Sequence, residues 1–344
     1  MRRLLYICVF VLSAMSLIAE NHVTNVRAEQ VEHTIVITYD LSKTANVRLL
    51  MAMDMLNNFQ ELKQVTGAVG KNVQAGTKRT ITWNVLEEFD SFNADGVRFK
   101  VETYGAEYIG VFSVSSSKKV IFSKGNLQYH PTNNKWRFAE KQWDYIGDAN
   151  RNISSTYNGW LDLFGWGTGS SPTNSSMSAF YYQNFVDWVT NQIGNDIPNT
   201  WRTLTNNEWD YLLDTRNNAS SLKGVAQVNG VNGLILLPDD WTCPSNVPFK
   251  SGFHNSYASE YFAAYQTFTA DQWSELEAAG AVFLPASGNR NGTTVSNVQE
   301  SGYYWSTTES SNNYAYCLYF LSDEAHIGSY FCGRGQSVRL VKEL

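Results

Sequence analysis

The feature that most constrains this chain is how its apolar residues are spread. They come in short β-branched and aromatic runs, broken every few residues by Gly, Asn, Asp or Ser. Between residue 22 and residue 108 the runs are Val23–Val26, His33–Tyr39, Val47–Met53, Arg79–Val85 and Val97–Tyr104, with turn signals at Gly67, Gly70, Gly76 and Asp95-Gly96. Runs of this length and composition predict strands. Their regular spacing over about 85 residues predicts an all-β sandwich. Nothing catalytic stands out in this segment, and it reads as a spacer.

The texture changes near residues 105–118. Gly110–Lys119, with its run Ser115-Ser116-Ser117, reads as a junction leading to a new first strand at Val120–Phe122. Beyond it, two helical patterns interrupt short strands and loops rich in Gly, Asn and Ser. In Thr205–Thr215 the spacing of Thr205 and Glu208 is that of a capping box, and Trp209, Leu212 and Leu213 share a face. In Thr269–Gly280, Thr269 can cap, Trp273, Leu276 and Ala279 face inward, and Gly280 ends the helix. A segment of residues 118–344 with this mixture predicts an α+β domain.

Arg2 and Arg3 followed by the apolar stretch Leu4–Ala19 predict a secretory signal over residues 1–19, with an uncleaved anchor as the alternative. No later apolar run is long enough to predict a transmembrane segment. The expected location is therefore exported: periplasmic, cell-surface or extracellular. Loss of Arg2 and Arg3 with the leader leaves 24 Lys and Arg against 32 Asp and Glu, moving the formal charge from -6 to -8. An acidic chain without a basic cluster excludes nucleic acid as a partner. Cys8 would leave with the leader, so Cys243, Cys317 and Cys332 remain, too few for a disulfide framework.

The second domain carries specific motifs. Trp201-Arg202-Thr203-Leu204-Thr205-Asn206-Asn207-Glu208-Trp209 is similar to the W-R-L-P-T-x-x-E-W signature of the formylglycine-generating-enzyme-like branch of C-type-lectin folds, departing from it at Thr203-Leu204. Leu236–Trp241, Ala281–Pro285, Tyr303–Glu309 and Gly335–Val341 fit the C-terminal half of the same family. The resemblance spans residues 118–344 and extends to paralogous secreted lectin-like proteins of gut Bacteroidetes. The preceding segment, residues 22–108, resembles immunoglobulin-like or fibronectin-type-III-like modules by pattern alone. Within the signature, Arg202 is expected to pair with Glu208, and Trp209, Trp273 and Trp305 are expected to be buried with their indole N–H groups bonded.

The resemblance implies a fold and leaves two functions open. The first is a non-catalytic binding protein, lectin-like or adhesin-like, for carbohydrate or protein at the cell surface. The second is an oxidoreductase of the formylglycine-generating type, which needs two cysteines close in sequence and a soft metal. Cys317 and Cys332 are separated by fourteen residues, and His22, His33, His130, His254 and His326 have no metal spacing, so no catalytic or metal residue is assigned. Asp148-Ala149-Asn150-Arg151-Asn152 begins like a calcium loop but has Ile153 and Gly159 where Gly and Glu are needed. Calcium stays a weak alternative to no cofactor.

Binding rests on the C-terminal β region, which in related lectin-like domains forms the ligand surface. Here it mixes Tyr with Asn, Ser and Gly, a composition that offers large contact area at low entropic cost. The candidate ligand residues are Tyr303, Asn312, Asn313, Tyr314, Tyr319, His326, Tyr330 and Arg334. Tyr314–Phe320 and Ser329–Arg334 predict a hairpin turning near Glu324-Ala325, which sets Cys317 opposite Cys332 and Tyr319 opposite Tyr330. Leu318, Phe320, Tyr316 and Phe331 then face the core, and Cys317–Cys332 becomes a disulfide candidate. Val338 and Leu340 are out of phase with this pairing unless Gly333 or Gly335 forms a bulge.

Overall fold

A computed structural model of the protein describes residues 10–11, 23–42, 45–53, 59–89, 92, 96–103 and 110–344. The chain is mostly β, arranged in several sheets, and divides into two compact units, residues 1–108 and 109–344. The leader expected over residues 1–19 lies outside the described residues, apart from Phe10 and Val11. Among the described residues no helix is long and apolar enough to cross a membrane.

The first unit holds two sheets. Phe10–Val11 (β1), Ala45–Ala52 (β4), Gln60–Glu61 (β5), Gly70–Val73 (β7) and Arg98–Thr103 (β9) form one, and Val23–Val31 (β2), Thr34–Leu41 (β3), Val65–Gly67 (β6) and Gly76–Asn84 (β8) form the other. Alternation builds the core. β3 buries Ile35, Ile37, Tyr39 and Leu41 and leaves the residues between them half-exposed. Val47, Leu49 and Met51 from β4, Ile81 and Trp83 from β8, and Phe99 and Val101 from β9 join the same apolar cluster. The strand expected to run through Val85 stops at Asn84, because Val85–Glu88 (α1) turns helically. That turn brings the Glu88 carboxylate to the Trp83 indole, whose Nε1–H donates to Oε2 at 2.9 Å.

The second unit begins earlier than residue 118. Phe112–Ser113 (β10) pairs with Lys119–Phe122 (β11), so the serine run is a hairpin tip in which Ser115 Oγ accepts from the backbone N–H groups of Ser117 and Lys118. Phe112 and Val114 are buried in this unit's core. Gly110 and Gly280 both have positive φ, 88° and 97°, and a Cβ on Gly280 would lie 2.7 Å from the Gly110 backbone. The supposed linker is therefore structural. β11 also pairs with Val341–Glu343 (β23), so the opening hairpin of the unit takes its last strand as a third.

Between them lie the hairpin Leu127–His130 (β12) with Lys135–Phe138 (β13), and a four-stranded sheet of Lys223–Val228 (β14), Val231–Leu236 (β15), Thr267–Phe268 (β16) and Val282–Pro285 (β17). Asn289–Asn291 (β18) pairs with Thr294–Ser296 (β19). Gly302–Ser311 (β20), Tyr314–Phe320 (β21) and Ala325–Phe331 (β22) make a three-stranded antiparallel sheet with β21 in the centre.

The helices are short. Asn206–Asp210 (α2) starts with the full capping box: Glu208 N–H donates to Thr205 Oγ1, and Thr205 N–H to Glu208 Oε2. Arg202 holds the same carboxylate in a fork, at 2.7 and 2.8 Å. The helix continues as a π turn over Tyr211–Thr215, whose carbonyls at Leu212 and Leu213 accept from Arg216 Nε and Lys223 Nζ. Glu260–Tyr265 (α3), which no sequence pattern announced, precedes Ala270–Ala278 (α4), capped by Thr269 and Gln272.

Candidate functional site

The three-stranded sheet β20–β22 is covered on both faces near its centre. Tyr304, Leu318 and Phe320 enter one apolar cluster. Tyr303, Trp305, Ala315, Cys317 and Cys332 enter another. Alternation along β20 sends neighbouring tyrosines, Tyr303 and Tyr304, to opposite sides. Two buried tryptophans anchor the sheet: Trp305 Nε1–H donates to Phe164 O at 2.8 Å and Trp209 Nε1–H to Trp305 O at 3.5 Å. Trp209, Trp273 and Trp305 are all fully buried, but Trp273 Nε1, against expectation, has no acceptor among the described residues.

The β21–β22 register is four residues from the predicted one. Tyr319 lies opposite His326 and Cys317 opposite Gly328, because the chain turns within Leu321–Glu324, where Leu321 N–H donates to Glu324 O. A shift of four preserves faces, so Cys317, Tyr319, Tyr330 and Cys332 still share one side. It removes the disulfide. Cys332 is four residues beyond Cys317's partner, about 13 Å along the strand, where a disulfide tolerates Cα separations of only about 7 Å. Both thiols are free and buried. Burial pushes the Cys317 thiol well above its ordinary range and the Cys332 thiol up to about 12, so neither supplies a thiolate. The strand ends at Phe331 and Arg334 N–H closes a turn onto Phe331 O, which also removes the phase conflict with Val338 and Leu340 without any bulge.

The candidate residues fall into two groups. Tyr303, Tyr319 and Tyr330 form a ring cluster, with centroids 5.0 Å apart for Tyr303–Tyr319, 5.2 Å for Tyr303–Tyr330 and 5.8 Å for Tyr319–Tyr330. His326 lies 5.3 Å from the Tyr319 ring, with its Nδ1 3.5 Å from Glu324 Oε2, and the Arg334 guanidinium sits 5.7 Å from the Tyr330 ring. Asn312 and Asn313 are exposed at the β20–β21 turn, where Asn313 takes φ 71°. Tyr314 is exposed but points to the opposite face, packing 6.0 Å from Phe331. Two assignments therefore change. Tyr303 is only 4% exposed and forms the buried part of the cluster, and Tyr314 does not share the tyrosine face. Tyr316 and Phe331, expected in the core, are half-buried.

Burial raises the Tyr319 and Tyr330 phenols far above their ordinary range, reinforced by Tyr303 and by the Glu324 carboxylate. They stay protonated at any physiological pH and can both donate and accept. Sequence reasoning missed two neighbours. Asn297 Nδ2 donates to the Tyr303 hydroxyl at 3.3 Å. Tyr257, exposed, has its phenol raised by partial burial and then by Glu300 and Tyr303. No local pattern marks either, since both arrive from other segments of the chain.

The calcium-like loop is engaged otherwise. It forms a 3-10 turn over Gly147–Asn152, in which Asn150 is buried, donating to Gly147 O and Asp162 Oδ1, while Asp148 pairs with Arg151 at 3.1 Å. Among the described residues no group of three or more His, Cys, Asp or Glu side chains is placed to hold a metal ion.

A family model described as a domain of unknown function (DUF8237) matches residues 258–341, the segment that carries β20–β22 and the tyrosine cluster. No curated protein and no solved structure matches the chain.

Proposed function

We propose that this chain is an exported, non-catalytic binding protein that takes a carbohydrate or protein ligand on the β20–β22 face. In this reading the second unit is a C-type-lectin-like domain of the formylglycine-generating-enzyme-like branch, and the first unit is an immunoglobulin-like or fibronectin-like spacer. The observation that carries the proposal is the cluster of Tyr319, Tyr330 and His326, half-buried or exposed and rimmed by Arg334, with Asn312 and Asn313 exposed at the β20–β21 turn on the far end of β21. Rigid phenol rings with wet hydroxyls give contact area and hydrogen bonds without ordering long side chains. The two high-lying thiols and the separated cysteines support binding over oxidation chemistry.

The test uses the full chain on glycan and protein arrays, beside a Tyr319→Phe, Tyr330→Phe double variant. Phenylalanine keeps the ring packing that these half-buried positions need and removes only the hydroxyls. The expected result is a ligand captured by the native chain and lost by the variant, with the thermal melt unchanged. Equal capture by both proteins would place the contact surface elsewhere.

A further inference from the structure

The hairpin β12–β13 carries a second, separate cluster. Its register sets Leu127 opposite Phe138 and Tyr129 opposite Trp136 on one face, and Gln128 opposite Arg137 and His130 opposite Lys135 on the other. The first face packs into the apolar core. The second collects every polar residue of the ladder, and its charges, Arg137 and Lys135, are both positive. In a chain of net charge -6 that is a local inversion, and among the described residues neither cation has an ion-pair partner.

Arg137 is held in place. Its guanidinium carbon lies 3.8 Å from the centre of the Trp160 ring, and its Nε–H donates to Gln128 Oε1 at 2.9 Å. Gln128 is itself 2% exposed, so the arginine's inner edge is fixed by a buried amide. His130 packs edge-on against the same indole at 5.1 Å. Thr132 Oγ1 contacts His130 Nδ1 at 3.3 Å and donates to Asn158 Oδ1 at 3.1 Å, tying the hairpin turn to the loop that carries Trp160. What remains of the guanidinium is its outer edge. Nη1 and Nη2 make no protein hydrogen bond among the described residues and are not sealed from solvent. An oriented fork of two N–H donors matches a carboxylate, and its rotational freedom is already removed.

We propose that this face binds an acidic saccharide, the uronate carboxylate docking on the outer edge of Arg137. The hydroxyl of Thr132, the amide of Asn158 and the half-exposed Trp160 indole suit a hydroxylated ring beside the carboxylate, and Lys135 adds the matching charge. A run of acidic side chains on a peptide would use the charge alone.

Isothermal titration of the full chain with oligoglucuronate, with a neutral glucose oligomer of equal length and with oligoglutamate tests this. The expected result is heat from oligoglucuronate only. Arg137→Ala should lower its affinity about tenfold or more, the effect of losing a charged hydrogen-bond pair. Arg137→Lys, which keeps the charge, should lose most of the same affinity at an unchanged thermal melt because a lysine has no fork. No heat from oligoglucuronate, equal heat from oligoglutamate, or full affinity in the Lys variant would each overturn the proposal.

Discussion

Asp162 is fully buried, and its carboxyl is held by Asn150 Nδ2 at Oδ1 and the Ile146 N–H at Oδ2, both at 2.8 Å. Burial is the dominant cause and raises its pKa from 3.8 to about 6, while the two donors pull the other way. The sign follows from linkage. The unfolded chain releases this proton near pH 4, whereas the folded chain holds it until about 6, so ionisation favours unfolding across that window. Asp162 therefore costs no stability below pH 4 and progressively more up to pH 6, reaching about 3 kcal/mol at the conversion of roughly 1.4 kcal/mol per unit. Asp162→Asn cannot ionise, but its amide NH₂ must face one of the two donors, a mismatch of about 1–3 kcal/mol at every pH. The variant should be clearly weaker than the native protein at pH 4 and close to it, or stronger, at pH 7. Urea unfolding of both proteins, followed by near-UV circular dichroism from pH 4 to pH 7, reads the difference. A constant gap between them over that range would show that the donors fully compensate burial, and the reasoning would be refuted.

Trp305→Ala should destabilise the second unit by about 3–5 kcal/mol, because a fully buried ring and its bond to Phe164 O are lost together; a native-like urea midpoint would contradict that placement. Iodoacetamide applied to the folded protein without reductant should label Cys243, which is exposed, and spare Cys317 and Cys332, while denatured protein should carry the label on Cys243, Cys317 and Cys332 alike. A mass two units low, from a Cys317–Cys332 bond, would overturn the observed register.

The helix caps were legible in the sequence, and the strand register was not. Thr205 with Glu208, and Thr269 with a helix ending at Gly280, specify helix ends through contacts three residues apart, which no distant segment can undo. The β21–β22 register depended on where the chain turned, and Leu321–Glu324 and Glu324-Ala325 are equally polar candidates. Because side-chain direction has period two, the four-residue error left the faces right and every cross-strand partner wrong. Asn229-Gly230 is a further local signal: with φ 49° and 82° it joins β14 to β15 in the manner of a tight hairpin turn. The serine run misled for the opposite reason. Polar composition suits a linker and a hairpin tip alike, and only the flanking alternation of Phe112 and Val114 distinguishes them.

The same logic bears on the tyrosine face. Exposure of Tyr319 and Tyr330 was inferred from strand alternation, which assigns two sides but not which of them meets solvent. In a three-stranded sheet with β21 in the centre, both sides carry a core beneath, and the open area is set by what other segments leave uncovered. Tyr303 shows the consequence: the rings of Tyr319, from β21, and Tyr330, from β22, pack against it, and Asn297 reaches its hydroxyl from outside the sheet. A buried residue that touches two half-buried rings is found by packing and not by pattern. Tyr303 is buried while the rings it touches are half-buried, so any ordering it gives Tyr319 and Tyr330 is present in the free protein, which is the condition for a pre-organised contact surface.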